Sequence, residues 1–342
     1  MFRRPTVIVV GAGASYDLGF PLGDQLRYKI SAALSEIRVE YGRLIGPNDL
    51  LSSMRSASKG QNLDINAYVQ AAEKISSHVL YARSIDEFVD HFQDQRAVVE
   101  LSKIAICKLI LESEKKSKIF AYNVINNISE VNHGFLDKND VWLKQIWYMM
   151  REGVPRHRPI DLFHNLTFIN FNYDRSLETF LTRALTDMFS LSVSDAENLI
   201  SNAPIYHPYG KVGRLTGSLH EGAPYGGHEQ VDLWSLAQGI RTYCESEDSA
   251  ATLEFQQLLA NAAHIVFLGF AYRQLNLDLL KSVGDGSIGV YGTSIGIPDE
   301  NHDGIISRLS GVLTRTGGAI NARLRPVKSA ELLRLYEEPL IG

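Results

Sequence analysis

The chain has 342 residues, with 34 basic and 39 acidic side chains and a formal net charge of −5. That balance argues against a general nucleic-acid-binding surface, which depends on neutralising phosphates, so we expect no direct nucleic-acid partner. Two cysteines far apart, Cys107 and Cys244, exclude a disulfide framework and a four-cysteine zinc site and suit a reducing cytoplasm, and no run approaches the roughly 18 apolar residues of a membrane span.

The first predicted element is a strand over Thr6 to Val10, a β-branched run typical of a strand buried on both faces of a parallel sheet. The turn GAGASY follows it. Gly11 permits a tight turn, Gly13 allows the backbone to approach a pyrophosphate, and amides at the start of the next helix can face an anion. Ser15 can add a hydroxyl donor or a helix cap. The pattern favours nucleotide binding, and the alternative is a turn that merely needs glycine.

A dehydrogenase fingerprint is incomplete in this turn. Its third glycine would stand at position 16, which is Tyr16, and its acidic residue would end a second strand about 20 residues further on. Glu36 and Glu40 lie at that distance, but inside a pattern of helical spacing that we expect to stop at Gly42. This argues against hydride transfer.

Residues 42–160 contain no convincing strand. Several segments carry apolar residues three to four positions apart, which predicts helices, and Ser84 and Asp86 can cap the helix in SIDEFVDHF. We interpret this stretch as a large helical insertion whose exposed faces offer a surface for assembly into a homo-oligomer.

Strand patterns return at residues 166–171, 203–207, 263–270 and 288–297, separated by helical segments. Alternation of strands and helices indicates parallel pairing through crossovers. The prediction is a single α/β domain over 1–342: a Rossmann-like parallel sheet with helices on both faces, built from 1–41 and 161–342, with 42–160 inserted. We expect the sheet to end near residue 297 and a short helical tail to follow.

Polar residues follow two of these strands, where ligands gather in an open α/β sheet. Asn172 and Asp174 come after the strand at 166–171, and helix capping is an ordinary alternative, more so for Asp174 than for Asn172. His207 ends the next strand and precedes a loop shaped by proline and glycine, which favours a functional role over a structural one.

Two later strand ends supply further candidates. Gly269 stands where the backbone would pass near a ligand, and Asn276 follows in the next helical segment. Gly292 and Thr293 offer ribose or phosphate contacts at the end of the last predicted strand. A purely structural role remains an equal alternative for each of these, and no metal site is predicted.

The order GAGAS, FNYD, His-x-x-Gly, LGF and YGT resembles the sirtuin superfamily and, more closely, the sirtuin-like NAD-hydrolysing domains of bacterial anti-phage defence systems; SIDEFVD and FNYDRSLE also look like that branch. The resemblance implies a cytoplasmic enzyme that cleaves the nicotinamide–ribose bond of NAD, its substrate, and that acts with a HerA-type translocase or by self-assembly. It implies Asn172 and His207 as the catalytic pair. It assigns cofactor binding to Gly11, Ala12, Gly13, Ala14 and Ser15.

The sequence departs from sirtuin deacylases in three respects. The zinc cysteines are missing, YDLGFPLG lacks the Asp-Phe-Arg that follows the proline in sirtuins, and no acyl-lysine channel is recognisable. Hydrolysis of NAD is therefore the expected activity. A non-catalytic nucleotide-binding or sensing module and an NAD-dependent protein deacylase are the alternatives.

Overall fold

The computed structural model describes residues 1–120, 140–215, 222–227, 231–247 and 249–342. Its centre is a parallel sheet of six strands, which confirms the predicted α/β, Rossmann-like fold class. The strands of the described residues are, in chain order, β1 (Thr6–Val10), β2 (Arg38–Glu40), β3 (Arg43–Ile45), β4 (Leu166–Asn170), β5 (Ile205–Tyr206), β6 (His264–Leu268), β7 (Ser282–Asp285), β8 (Ile288–Thr293), β9 (Leu313–Thr316) and β10 (Ile320–Arg325). The order across the main sheet is β10-β8-β6-β1-β4-β5.

Strand β1 lies in the middle of this sheet, paired with β4 on one side and with β6 on the other. Ile8 lies opposite Phe168 of β4 and Val266 of β6, and all three side chains are buried. Every residue of β1 is buried, as its β-branched run predicts for a strand covered on both faces.

Helices flank the sheet and make up most of the remaining regular structure. In chain order they are α1 (Ala12–Tyr16), α2 (Gly23–Ser35), α3 (Asn48–Gln61), α4 (Ile65–His78), α5 (Ile85–His91), α6 (Arg96–Lys116), α7 (Trp142–Arg151), α8 (Ser176–Phe189), α9 (Val193–Ser201), α10 (Leu233–Ala237), α11 (Tyr243–Glu247), α12 (Ala250–Ala260), α13 (Gln274–Leu279), α14 (His302–Val312), α15 (Ser329–Leu335) and α16 (Glu337–Ile341). Within the described ranges, none of these helices is both long enough and apolar enough to cross a membrane.

The helical pattern predicted up to Gly42 is wrong in its second half. Helix α2 ends at Ser35, and β2 and β3 form a small antiparallel hairpin. The two residues between these strands, Tyr41 and Gly42, both have positive φ, at 48° and 72°. Two such residues make the tight turn whose twist suits a hairpin, so Gly42 closes a hairpin and does not end a helix.

The sheet also continues beyond residue 297, contrary to the prediction. Strand β10 pairs in parallel with β8 and forms the edge of the main sheet, and β9 pairs with β7 in a separate two-stranded sheet. In β10 the partly or fully buried Ile320, Ala322 and Leu324 alternate with exposed polar residues. Edge strands carry such a two-residue alternation, which differs from the continuous apolar runs of the inner strands.

The predicted insertion is packed tightly onto the rest of the chain. Helix α6 contacts α2, α3, α4, α5 and α10, and most of its residues are buried on all sides. The indole nitrogen of Trp142 in α7 donates a hydrogen bond of 3.0 Å to the carbonyl oxygen of Ala14. The helices of 42–160 therefore help to position the glycine turn; residues 121–139 of this stretch lie outside the described part of the chain.

Candidate active site

A cavity of about 650 Å³ opens at the carboxyl ends of β1, β4, β6 and β8. This is the edge at which open α/β sheets bind their ligands. Part of its wall comes from the helices of 42–160, through Ser84, Ile85 and Asp86 of the α5 region and Ile110 of α6. The site is thus built jointly by the sheet and by the inserted helices.

Most of the residues predicted to form the site line this cavity. Three of them do not, and they are Ala14, His207 and Gly292. The predicted residues that line it are Gly11, Ala12, Gly13, Ser15, Asn172, Asp174, Gly269, Asn276 and Thr293.

The side chain of Asn172 is held by the glycine turn. Its Nδ2 atom donates to the carbonyl oxygen of Gly11 at 3.1 Å and to the hydroxyl of Ser15 at 2.9 Å. Ser15 in turn donates to Oδ2 of Asp174 at 2.8 Å. Both hydrogens of the amide are used, and Oδ1 of Asn172 makes no hydrogen bond to any residue that the structure describes. The side-chain oxygen of Asn172, Oδ1, is therefore the acceptor that this network leaves for a ligand.

Asp174 anchors this network. Besides accepting from Ser15, it accepts a hydrogen bond of 3.0 Å from the amide of Ser176, the first residue of α8. Burial raises the pKa of Asp174, although the hydrogen bonds from Ser176 and Ser15 act in the opposite direction. The residue contacts the start of the helix, as the capping alternative proposes, and also fixes the hydroxyl that orients Asn172.

The imidazole of His207 lies outside the lining of the cavity. Its Nδ1 lies 3.1 Å from the backbone oxygen of Asn172, and its Nε2 lies 2.9 Å from Oε1 of Glu178. Both ring nitrogens face oxygen acceptors, and only 6% of the side chain is exposed. In this geometry His207 supports the backbone that carries Asn172.

Glu178 and Lys211 complete the surroundings of His207. The Oε1 atom of Glu178 also accepts a hydrogen bond of 2.5 Å from Lys211. Burial alone would raise the pKa of Glu178, but the facing Lys211 and His207 outweigh it and lower that pKa. His207 thus belongs to a buried ionic cluster, a setting that the residues around position 207 do not reveal.

The glycines of the turn owe their identity to packing against another part of the backbone. A Cβ on Gly11 would lie 2.7 Å from the carbonyl oxygen of Gly269, and a Cβ on Gly13 would lie 2.8 Å from the Cα of Gly269. The amide of Gly13 also donates to the carbonyl oxygen of Gly269 at 2.9 Å. Close approach of two chain segments therefore gives a reason for glycine at both positions, and both residues also line the cavity.

Other predicted contacts are engaged within the protein. Thr293 accepts a hydrogen bond from the amide of Gly269 at 2.8 Å, and Asn276 accepts one from the hydroxyl of Tyr209 at 2.9 Å. Gly292 packs against Tyr272, whose hydroxyl would lie 2.1 Å from an added Cβ. Gly292 therefore serves the core of the sheet, whereas Thr293 shapes the cavity wall.

The structure adds Asp86 to the cavity, where the sequence predicts only a helix cap. Ser84 is the cap of α5, accepting from the amide of Glu87 at 3.1 Å. Asp86 lies two residues after Ser84, in the first turn of α5. Its Oδ1 accepts a hydrogen bond from the hydroxyl of Tyr173. Burial raises the pKa of Asp86, while Tyr173 and Arg273 act to lower it.

Two cations stand on the cavity wall. Arg273 lies 3.8 Å from Asp24, and Lys328 lies 3.5 Å from Asp17. Both basic side chains are partly exposed, so they can exchange these carboxylates for an anionic group of a ligand. No group of three or more His, Cys, Asp or Glu residues within the described ranges is arranged to hold a metal ion.

Comparison of the chain with protein-family models gave no match, and a search of curated proteins gave no significant relative.

Proposed function

We propose that the protein is a NAD⁺ hydrolase that cleaves the nicotinamide–ribose bond to give nicotinamide and ADP-ribose. The observation that carries this proposal is Asn172, whose amide is fixed by Gly11 and Ser15 at the cavity wall with its Oδ1 left unpaired among the described residues. An oriented acceptor at the carboxyl edge of a parallel sheet suits a ligand that bears hydroxyl groups.

The dimensions and charges of the cavity support a dinucleotide. Its volume of about 650 Å³ lies within the range of small-molecule clefts, about 300–1,000 Å³. Arg273 and Lys328 would neutralise the pyrophosphate, since guanidinium and ammonium groups bind phosphate oxygens well. The apolar Phe20, Leu26 and Phe270 add surface for a base or a nicotinamide ring.

The chemistry needs little from the protein on the side of the leaving group. Nicotinamide is already positively charged in NAD⁺ and departs with the bonding electrons, so no strong acid is required. The sugar carbon becomes oxocarbenium-like, as at other glycosidic centres. Asn172 would accept a hydrogen bond from a ribose hydroxyl or from the attacking water and so fix the reacting geometry.

The resemblance to sirtuin-like defence enzymes supports a biological setting for this activity. Depletion of NAD in an infected cell would halt phage production. Because constant hydrolysis would be toxic, we include regulation in the proposal, either by a HerA-type translocase partner or by assembly of this chain into a homo-oligomer.

A second candidate is a nucleotide-binding module without chemistry. It is favoured by the hydrogen bonds that occupy both ring nitrogens of His207, since they remove the expected general base from the cavity. In that case Asn172 would be a ligand contact only.

The two candidates differ in turnover of an etheno-NAD analogue, whose fluorescence rises on cleavage. We expect purified protein, alone or with extract of phage-infected cells, to release nicotinamide and ADP-ribose, identified by chromatography. Asn172→Ala should lose at least about 100-fold in rate, whereas Asn202→Ala, which removes an exposed amide, should not.

Two other outcomes would contradict hydrolysis without a peptide substrate, and a third would contradict the role of Asn172. NAD binding by calorimetry without product in any arm would identify a binding module. Cleavage only in the presence of an acyl-lysine peptide would identify a deacylase. Full activity of Asn172→Ala would place the chemistry elsewhere.

A further inference from the structure

The cavity contains a carboxylate that the network around Asn172 does not use. Asp86 comes from α5, and one of its oxygens, Oδ1, accepts the hydroxyl of Tyr173. Its other oxygen, Oδ2, makes no hydrogen bond to another residue in the described part of the chain. Asp86 lines the cavity and is half-buried, so it can still reach a ligand there.

The other carboxylates buried in this part of the molecule either use both oxygens or lie outside the cavity lining. Glu114 binds the guanidinium of Arg175 with both oxygens, at 3.0 and 2.6 Å. Asp174 uses both oxygens, one for Ser15 and one for Ser176. Glu178 faces His207 and Lys211, away from the cavity lining. Asp86 alone among these four combines a place on the cavity wall with an unpaired oxygen.

The neighbourhood of Asp86 ties it to Asn172. Tyr173, which orients Asp86, is the next residue after Asn172, and both line the cavity. The backbone oxygen of Tyr173 accepts a hydrogen bond from the amide of Val212. The backbone after Asn172 is therefore held in place as well. The side-chain oxygen of Asn172 and the carboxylate of Asp86 are thus presented to one cavity, and Tyr173, the residue after Asn172, holds Asp86 by its hydroxyl.

We propose that Asp86 is the proton acceptor for the water that attacks the ribose, a role that rests on the proposed hydrolysis of NAD⁺. In this step the bond between C1′ and the nicotinamide nitrogen breaks, and its electron pair neutralises the pyridinium. The oxygen of water forms the new bond to C1′. One proton of that water passes to Oδ2 of Asp86 and then to solvent, so that NAD⁺ and water give nicotinamide, ADP-ribose and H⁺.

Burial raises the pKa of Asp86, and the polar groups around it modify that effect. Tyr173 and Tyr209 face it from the segments after β4 and β5, and Arg273 faces it from the segment before α13. On the α2 side, Asp24 lies between Arg273 and Arg27. The hydrogen bond from Tyr173 favours the ionised carboxylate, which is the form that accepts a proton.

The central test compares Asp86→Asn with Asp94→Asn. Both remove one carboxylate from the same region, but Asp94 is exposed and outside the cavity lining. We expect Asp86→Asn to lower kcat by about 100-fold or more, the usual cost of losing a general base, with an unchanged Kd for NAD and an unchanged melting temperature. Asp94→Asn should match the wild type in all three.

A second variant separates proton transfer from mere support of the cavity. Tyr173→Phe removes the hydrogen bond that favours ionised Asp86, so the pKa of Asp86 should rise. A base acts only when deprotonated, so the acidic limb of the profile of kcat against pH should move to higher pH. A structural role of Asp86 would leave the position of that limb unchanged.

The outcomes separate this inference from the proposed function. Absence of cleavage by the wild type in every condition would end both. Cleavage by the wild type and also by Asp86→Asn, within tenfold, would overturn the role of Asp86 and leave hydrolysis standing. An unmoved acidic limb in Tyr173→Phe would overturn that role as well.

Discussion

The neighbouring ends of β4 and β5 carry two residues that look equivalent in the sequence and are opposite in the structure. Asn172, after β4, lines the cavity, and two hydrogen bonds hold the nitrogen of its side-chain amide. The oxygen of that amide, Oδ1, has no hydrogen-bond partner among the described residues. His207, after β5, has both ring nitrogens in hydrogen bonds and lies outside the cavity lining. A place at a strand end is shared by both residues, but only Asn172 presents an unpaired polar atom at the cavity wall.

The difference extends to the groups around these two residues. Two ionic clusters, Glu178 with His207 and Lys211 and Glu114 with Arg175, lie outside the cavity lining and hold chain segments together. Incompletely paired groups, namely Asn172 and Asp86, lie on the cavity wall. If this division is correct, variants of the first kind should affect stability, and variants of the second kind should affect turnover.

The largest effect should come from breaking the saturated pair of Arg175 and Glu114. Arg175 is fully buried and also donates to the backbone oxygens of Ala223 and Pro224. Arg175→Met should lower the free energy of unfolding by about 3–5 kcal/mol, because Glu114 would be left buried without its partner. Urea unfolding measures this value.

The control for this prediction is Arg183→Met in helix α8, which begins directly after Arg175. Arg183 forms an exposed pair with Asp187 four residues away, and such pairs contribute only about 0.3–0.5 kcal/mol. Equal losses in the two variants would show that burial and saturation do not distinguish the interior cluster.

Gly269 offers a sharper test of the packing beneath the cavity. Its φ is +58°, and an added Cβ would lie 2.0 Å from the amide nitrogen of Ala14. Gly269→Ala should cost more than the roughly 1–3 kcal/mol of a strained backbone alone, because Ala14 and Gly13 must also move. Gly286→Ala has a similar φ of +72° with nothing within 4 Å, so it measures the strain without the overlap. A loss no greater than that of Gly286→Ala would show that the close contact imposes no demand for glycine.

Removal of one hydroxyl should affect turnover more than stability. Ser15→Ala deletes the link between Asn172 and Asp174, so the amide can rotate away from its productive orientation. We expect kcat for NAD cleavage to fall about tenfold, in line with the sensitivity of catalysis to misplaced groups. Ser31→Ala, which deletes a partly buried hydrogen bond in α2 to Ser76, should leave kcat unchanged. An unaltered rate in Ser15→Ala would show that Asn172 does not need this anchor.

The smallest effect concerns the pH dependence of stability in the Glu178 cluster. Burial raises the pKa of Glu178, but the facing Lys211 and His207 outweigh it and hold the folded-state pKa below the usual range of a glutamate carboxyl. A carboxyl with a depressed pKa stabilises the fold above its unfolded pKa, and this contribution is lost as pH falls toward the folded pKa. Unfolding free energies measured from pH 7 to pH 3 should therefore decline more steeply in the wild type than in Glu178→Gln, by about 1 kcal/mol or more. Parallel curves would contradict this.

The sequence predicts the inner part of the sheet well and its periphery poorly. Strands β1, β4, β6 and β8 are mostly apolar runs, because strands covered on both faces favour apolar side chains on both. The sequence does not predict strand β10, because its arginines are exposed at alternate positions and interrupt the apolar run. The sequence does not predict the hairpin of β2 and β3 either, because each strand has only three residues.

The site follows the same rule. Asn172 and Asp174 can be predicted to lie at the cavity from their positions after an inner strand, because the topology alone brings the carboxyl ends of the strands together. The pairing of His207 with Glu178 and Lys211 depends on side chains that meet only after folding. Asp86 reaches the cavity from a helix more than eighty residues before Tyr173, its partner. Local patterns cannot show contacts at such separations.

The most direct test of the central claim measures kcat for NAD cleavage in Asn172→Ala and His207→Gln side by side, with melting temperatures as the check on folding. Glutamine can still hydrogen-bond in the place of His207, so we predict that His207→Gln keeps a rate within tenfold of the wild type, whereas Asn172→Ala loses about 100-fold or more. The claim would be contradicted if Asn172→Ala stayed active while His207→Gln lost its activity with the fold intact.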